Sequence, residues 1–388
     1  MMGYRVPRFA SRLAACLAVG WGVCACSTSA SNEDAAFIPY DSNPHAAKYD
    51  FREVDSVVDA FLDENPDIEG ATLAVVRRGE SQIYEAGYGA FERDRVSFIA
   101  STGKVLSAGV ILSLADEGLI DLDRDVAEYL DWGDYHPGVT TRNILSMMSG
   151  IPSRNSGTVE DWYEDPCVFD PDFTLDECAR RIFQFEDHSV PPGQEFRYST
   201  ASWQVAGAVA ETVGDASWAA LVEERLVSPC GLRATGYSNV MVDEYPSDFD
   251  GDLTSLPATA NPNLGAGAYS TVTDYSKVLL MHLHDGLCGN ERVLSEASVR
   301  AMQEDLVPEG TTMPIWRPEA VNYGLGWWKY EDEPTLLIDP GAFGARAYLD
   351  PVEGWGAIAI LEADTTDGAE LRQTLVPAIR AVLAGAAP

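Results

Sequence analysis

The hydrophobic pattern changes its period along the chain. Phe51, Val54, Val57, Val58 and Phe61 recur at helical spacing with acids on the opposite face, and Asn65-Pro66 closes that segment. Ala71 to Arg78 and Ser81 to Gly89 then read as two strands joined by a tight turn at Arg78-Gly79-Glu80. From residue 101 to about 290 the pattern is mainly helical, with long loops. Beyond it, Tyr323 to Tyr330, Thr335 to Ile338, Ala345 to Leu349 and Ala357 to Leu361 read as strands, and Leu371, Leu375, Val376, Ile379 and Val382 mark one side of a final helix. This order predicts an α/β (α+β) fold in which both chain ends build one antiparallel sheet flanked by terminal helices, with the helical middle as a second lobe. The sheet lobe takes residues about 49–100 and 291–388, the helical lobe about 101–290, and a site is expected in the cleft between them.

With 388 residues and 46% hydrophobic composition, the chain can bury a sizeable core. Arg5, Arg8 and Arg12 precede an apolar run from Leu13 to Ala25 that is too short to span a bilayer stably, so residues 1–25 read as a signal peptide. Val23-Cys24-Ala25-Cys26 resembles the lipobox of bacterial lipoproteins, with Cys26 as the lipidated residue because small Ala25 precedes it. The alternative is an ordinary secretory peptide cut near Ser27 to Ala30. Residues 26–48 then form a flexible tether and 49–388 the folded domain. These features predict export to the bacterial cell envelope, facing the periplasm or cell surface, with membrane contact only through the N-terminal anchor.

A formal charge of −35 excludes nucleic-acid binding and electrostatic docking on anionic lipid. Four cysteines follow Cys26, namely Cys167, Cys178, Cys230 and Cys288, and export permits disulfides. They allow three pairings among which sequence does not choose, with the local Cys167–Cys178 pair preferred. No Cys-x-x-Cys occurs and the five histidines are scattered, so no zinc site is expected. Asp121, Asp123 and Asp125 alternate as in a calcium loop, as do Asp248, Asp250 and Asp252. Both read as structural turns, the second because Leu253 and Thr259 stand where such a loop needs glycine and glutamate. No metal or organic cofactor is implied.

Candidate chemistry lies in Ala100-Ser101-Thr102-Gly103-Lys104, followed by Val105, Leu106, Ala108, Ile111, Leu112, Leu114 and Ala115 at the spacing of a helix face. Ser101 and Lys104 share one side of that helix. A serine hydroxyl is a weak nucleophile until a neighbouring base takes its proton, and a lysine whose pKa is lowered by burial or cationic neighbours can be that base. A helix-capping serine beside a solvated lysine is the plainer alternative.

The segments that follow make the first reading specific. Gly118 to Asp123, Val126 to Leu130, Thr140 to Ile151, Pro192 to Ser199, Pro229 to Leu232, Gly265 to Thr271 and Tyr323 to Trp327 resemble, in order, the class C β-lactamase and penicillin-binding-protein-like serine hydrolases. The resemblance runs from about residue 50 to residue 385. It implies that Tyr198, in Tyr198-Ser199-Thr200, shares a proton with Lys104 as general base and acid, and that the backbone N–H groups of Ser101 and Ala342 form an oxyanion hole.

Two departures bear on substrate. Thr200 stands where the family has asparagine, which puts amide recognition in doubt. Asp339-Pro340-Gly341 replaces a Lys-Thr-Gly or His-Thr-Gly motif that favours a substrate carboxylate. An aspartate about 4 Å from such a group repels it by roughly 1 kcal/mol in water and about 4 kcal/mol at a surface dielectric. With Thr200, Asp339 and Gly341 as the substrate-binding positions, the expectation is a serine hydrolase acting on small neutral esters or amides in preference to β-lactams. A D-alanyl-D-alanine peptidase or β-lactamase and a catalytically silent binding protein are the alternatives.

Overall fold

The computed structural model describes residues 35–151, 166–185, 190–239, 253–256, 258–314 and 317–386. Helix α1 (Arg52–Glu64) leads into strands β1 (Gly70–Arg77), β2 (Ser81–Gly89) and short β3 (Ser97–Phe98). A helical region follows: α2 (Lys104–Asp116), α3 (Thr141–Leu145), α4 (Leu175–Phe185), α5 (Thr200–Gly214), α6 (Trp218–Val222) and α7 (Ser228–Cys230). Then come β4 (Gly236–Tyr237), β5 (Ala268–Ser270), α8 (Val272–Leu283), the hairpin β6 (Leu287–Cys288) and β7 (Glu291–Arg292), and α9 (Glu296–Gln303). The chain closes with β8 (Ala320–Tyr323), β9 (Trp328–Tyr330), β10 (Glu333–Pro340), β11 (Arg346–Asp350), β12 (Trp355–Ile360) and α10 (Thr365–Gly385).

Both ends of the chain meet in one antiparallel sheet, order β2-β1-β12-β11-β10-β9-β8. The seam is β1 against β12, in register from Thr72 opposite Ile360 to Arg77 opposite Trp355. These two strands are near-continuous apolar runs because both of their faces are covered. Helices α1 and α10 pack together, and α8 lies across β1 and β12. Helix α8 therefore belongs with the sheet, although its place in the sequence assigned it to the helical lobe. Its apolar residues are needed there, since a Cβ added at Gly356 of β12 would touch that of Leu279 at 3.3 Å.

Two further expectations change. Tyr323 to Tyr330 is not one strand but two, β8 and β9, because Gly326 takes φ +104° and Gly324 N–H bonds to the Trp327 carbonyl. Helix α2 is buried all round rather than along one face. Its two interior serines satisfy their hydroxyls internally, Ser107 on the Leu264 carbonyl and Ser113 on that of Val110, both within 2.8 Å. Trp327 and Trp328 are fully buried core. Disulfides join Cys167 to Cys178 and Cys230 to Cys288. Asp123 pairs with Arg142, and Asp125 accepts the Ala127 N–H to cap a short turn, so the first acidic triplet is engaged within the protein. Asp248, Asp250, Asp252 and the whole segment 1–34, Cys26 included, lie outside the described residues. Among the described residues no helix is long and apolar enough to cross a membrane.

His282 of α8 is buried edge-on to Trp327, ring centroids 5.6 Å apart, with neither ring nitrogen hydrogen-bonded among the described residues. Burial pushes its pKa down to about 4 from 6.5. Between those values the unfolded chain holds the proton and the folded chain does not, so stability falls as pH drops from about 6.5 to about 4 and this loss then levels off. Across that window His282→Leu is expected to remove up to about 3 kcal/mol of acid-induced loss, measured by urea unfolding of both proteins at each pH. Identical pH slopes for the two proteins would refute it.

Candidate active site

Ser101 sits in the tight turn Ala100–Gly103 that feeds α2. Ala100 takes φ +46°, a backbone conformation that a residue with a side chain adopts only under constraint. The constraint is visible on every side. Thr102 Oγ1 donates to the Asp339 and Ala345 carbonyls at 3.0 and 3.2 Å, Tyr275 Oη donates to the Thr102 carbonyl at 2.9 Å, and Tyr237 Oη to the Gly103 carbonyl at 3.1 Å. The turn is thus bolted to β10, α8 and the small sheet formed by β3, β5 and β4.

Lys104 is fully buried, and its ammonium nitrogen lies 3.1 Å from Ser101 Oγ while also donating to the Gly265 carbonyl. Gly265 is held in turn by the Asn263 side chain, which accepts its N–H at 3.1 Å. Lys104 Nζ also stands 4.8 Å from the centre of the Tyr198 ring. Tyr198 comes from the segment ahead of α5, where the neighbouring Arg197 N–H bonds to the Met147 carbonyl. Its ring packs against Trp328 of β9 at 5.2 Å. Serine and lysine from one turn and tyrosine from a distant segment therefore converge at one end of α2. Such a group can attack a carbonyl, with the hydroxyl proton passing to the amine and phenol.

A cleft of about 150 Å³ opens at Ser101, with Tyr198, Pro340, Ala342, Arg317, Glu319, Arg346 and the N-terminal residues Thr365, Thr366 and Ala369 of α10 around it. The structure brings Ser101, Tyr198 and Ala342 together here. It does not bring Thr200, which is buried at the start of α5 against Gly265. Nor does it bring Asp339. That residue is fully buried and makes no ion pair among the described residues, so the expected contact between its charge and a substrate is corrected. Alternation along β10 is the reason: with Pro340 and Ala342 on the cleft side, Asp339 and Gly341 face inward. Gly341 is required there, because a Cβ would lie 2.2 Å from the Ile99 carbonyl oxygen and 2.9 Å from Thr102 Oγ1.

Burial pushes the Asp339 carboxyl well above its usual range, against the opposing pull of Lys104, the Val105 N–H, Arg317 and Arg346. Sequence reasoning passed over both arginines. Arg346 is legible only through strand pairing, since it lies directly opposite Pro340 and so shares the cleft face.

A family model described as Beta-lactamase matches residues 54–379 of the chain. Penicillin-binding protein 4 of Amycolatopsis lactamdurans is 28% identical over 76% of this chain and 80% of its own length. Protein flp of Staphylococcus aureus (strain N315) is 22% identical over 80% of this chain, which spans 62% of the length of that relative. The solved structure described as EstCE1, a hydrolase with promiscuous acyltransferase activity, superimposes with a TM-score of 0.67, with 23% identity over 85% of this chain and 98% of its own.

Two outcomes follow from this geometry. Gly341→Ala must move β10 off the Ser101 turn and is expected to cost about 1–3 kcal/mol, read by urea unfolding, whereas an unchanged midpoint would mean that the two are not in contact. An acid whose folded pKa is raised stabilises the fold below its unfolded value near 3.8 and loses that contribution as pH rises through the folded value. Asp339→Asn is therefore expected to raise the melting temperature at neutral and higher pH. A fall there would instead make the Asp339 charge a needed counter-ion for the surrounding cations.

Proposed function

The chain belongs to the β-lactamase family of serine hydrolases and acyl transferases, and from that premise we propose that it hydrolyses small esters or amides through an acyl-enzyme on Ser101. The observation that carries this reading is the 3.1 Å contact between Ser101 Oγ and a fully buried Lys104 at the floor of an open cleft. Ser101 Oγ attacks the carbonyl carbon as its proton passes to the Lys104–Tyr198 pair, which shares one proton between amine and phenol and so has one basic site free. The N–H groups of Ser101 and Ala342 take the oxyanion, Tyr198 returns the proton to the leaving group, and water then releases the acid by the reverse sequence.

Asp339 no longer argues for neutral substrates, because its charge is turned away from the cleft. What still disfavours β-lactams is the loss of the family motif's side-chain donors: the position of its threonine is Pro340, which offers neither a hydroxyl nor an N–H. The similarity to a hydrolase with promiscuous acyltransferase activity supports acyl transfer through the serine. A peptidase or β-lactamase is the second reading, favoured by the similarity to Penicillin-binding protein 4. Export and a lipid anchor at Cys26 complete the proposal, and mass spectrometry of the mature N-terminus tests them.

A fluorophosphonate probe is expected to label the purified protein and to leave Ser101→Ala unlabelled, and short-chain nitrophenyl esters are expected to turn over faster than penicillins. Labelling by fluorescent penicillin together with faster β-lactam hydrolysis would install the second reading. Absence of any Ser101-dependent labelling would leave a binding protein.

A further inference from the structure

A carboxyl group lies behind the strand that borders the nucleophile, and the mechanism does not use it. Asp339 is fully buried on the inner side of β10. Its backbone carbonyl accepts the Thr102 hydroxyl at 3.0 Å, which fixes the residue to the turn that carries Ser101. Two positions on, Gly341 lies so flat against the same turn that a Cβ would come within 2.2 Å of the Ile99 carbonyl oxygen. The carboxyl meets the first turn of α2, where the N–H of Val105, next in sequence to Lys104, offers it a hydrogen bond.

That placement costs stability. Burial raises the Asp339 carboxyl well above its usual range, and of the groups that oppose the rise Lys104 acts most strongly, ahead of the Val105 N–H, Arg317 and Arg346. Asp339 makes no ion pair with these cations among the described residues. An amide of the same shape would fill the space without a buried charge, so an acid at this position needs a functional account.

Attraction between two charges is mutual. Whatever Lys104 does to hold Asp339 ionised, an ionised Asp339 does to hold Lys104 as an ammonium. Lys104 is itself fully buried with its nitrogen 3.1 Å from Ser101 Oγ, and solvent screens neither group. The other groups that face them keep their charge over the working pH range. Tyr237 of β4, Tyr275 of α8 and Tyr323 of β8 are raised by burial, and His282 of α8 is lowered by burial to about 4. Arg317 and Arg346 stay cationic, and Glu319 is paired with Arg317 at 4.0 Å. Tyr198 is part of the basic pair itself. Asp339 is therefore the group whose ionisation reaches the base that activates Ser101.

We propose that Asp339 is a positioning residue for a proton. Its carboxylate keeps Lys104 an ammonium, and so sets both the pH at which the Lys104–Tyr198 pair gains its free basic site and the strength of that base. As pH rises, Asp339 gives up its proton first, and the pair gives up its own against the pull of the new carboxylate. Asp339 touches no substrate, and no bond is made or broken at it apart from that to its proton. This rests on the hydrolase reading of Ser101 and supplies its pH control.

The pH profiles of kcat/KM for para-nitrophenyl butyrate and of the rate of Ser101 labelling by a fluorophosphonate decide it. In Asp339→Asn the acid limb of both profiles is expected to move down by about one pH unit or more, the size of effect that a nearby opposite charge exerts. The plateau should fall severalfold, because a weaker base accepts the serine proton less readily. KM for this neutral ester should stay within about twofold, as expected of a group that does not touch substrate. Asp339→Ser should move the limb in the same direction, and Asp339→Glu should return it toward the wild-type position. A merely structural role would lower the rate alike at every pH. Acid limbs that coincide in the wild-type protein and both neutral variants, on protein whose Ser101 labels, overturn the role of Asp339 and leave the hydrolase reading standing. If Ser101 labels at no pH, the hydrolase reading falls and this role with it.

Discussion

One buried ammonium group organises this molecule. Lys104 lies wholly out of water and no carboxylate pairs with it among the described residues; its contacts are the Ser101 hydroxyl, the Gly265 carbonyl and the face of the Tyr198 ring. Taking an ammonium out of water costs several kcal/mol even after relaxation, so the groups around it must be held where they compensate. That requirement explains why so much of the fold converges on one helix end. The Asn263 side chain fixes the Gly265 peptide, the phenols of Tyr237 and Tyr275 hold the turn carbonyls, and Thr102 ties the turn to β10. Helix α2 can then be apolar on every side, because its polar work is concentrated in its first turn.

How much of this was legible in the sequence depends on the range of the interaction. The sheet built from both chain ends follows from alternating strands on either side of a helical middle, and the structure has it. The proximity of Ser101 and Lys104 is a local consequence of helical spacing and was readable in the same way. What was not readable depends on packing between distant segments. Helix α8 has the period of any amphipathic helix, and nothing in that period says which layer it covers. The break between β8 and β9 hinges on Gly326, whose left-handed φ is imposed by its approach to Val105. Inferring the role of Asp339 from motif position alone ignored that neighbouring strand residues face opposite ways, and Gly341 carried the warning, since a glycine on the inner face signals close approach there.

The same register argument that removes Asp339 from the cleft puts Arg346 into it. Residues directly opposite each other in an antiparallel pair share a face, so Pro340 on the cleft wall brings Arg346 with it. Charge at this site therefore has two layers: cations at the cleft, and a carboxylate behind the strand that feels Lys104, Arg317 and Arg346 without bonding to any of them.

That layering makes the buried carboxyl an internal ballast for the site's charge. In its neutral form Asp339 leaves Arg317 and Arg346 at the cleft without a charge behind them, and in its ionised form it lowers their joint potential from inside, where solvent screening is weak. Burial favours the neutral form, so the cleft keeps its positive potential while the outer surface is strongly acidic. The charge at the site is thus set by burial and strand register rather than by any local motif.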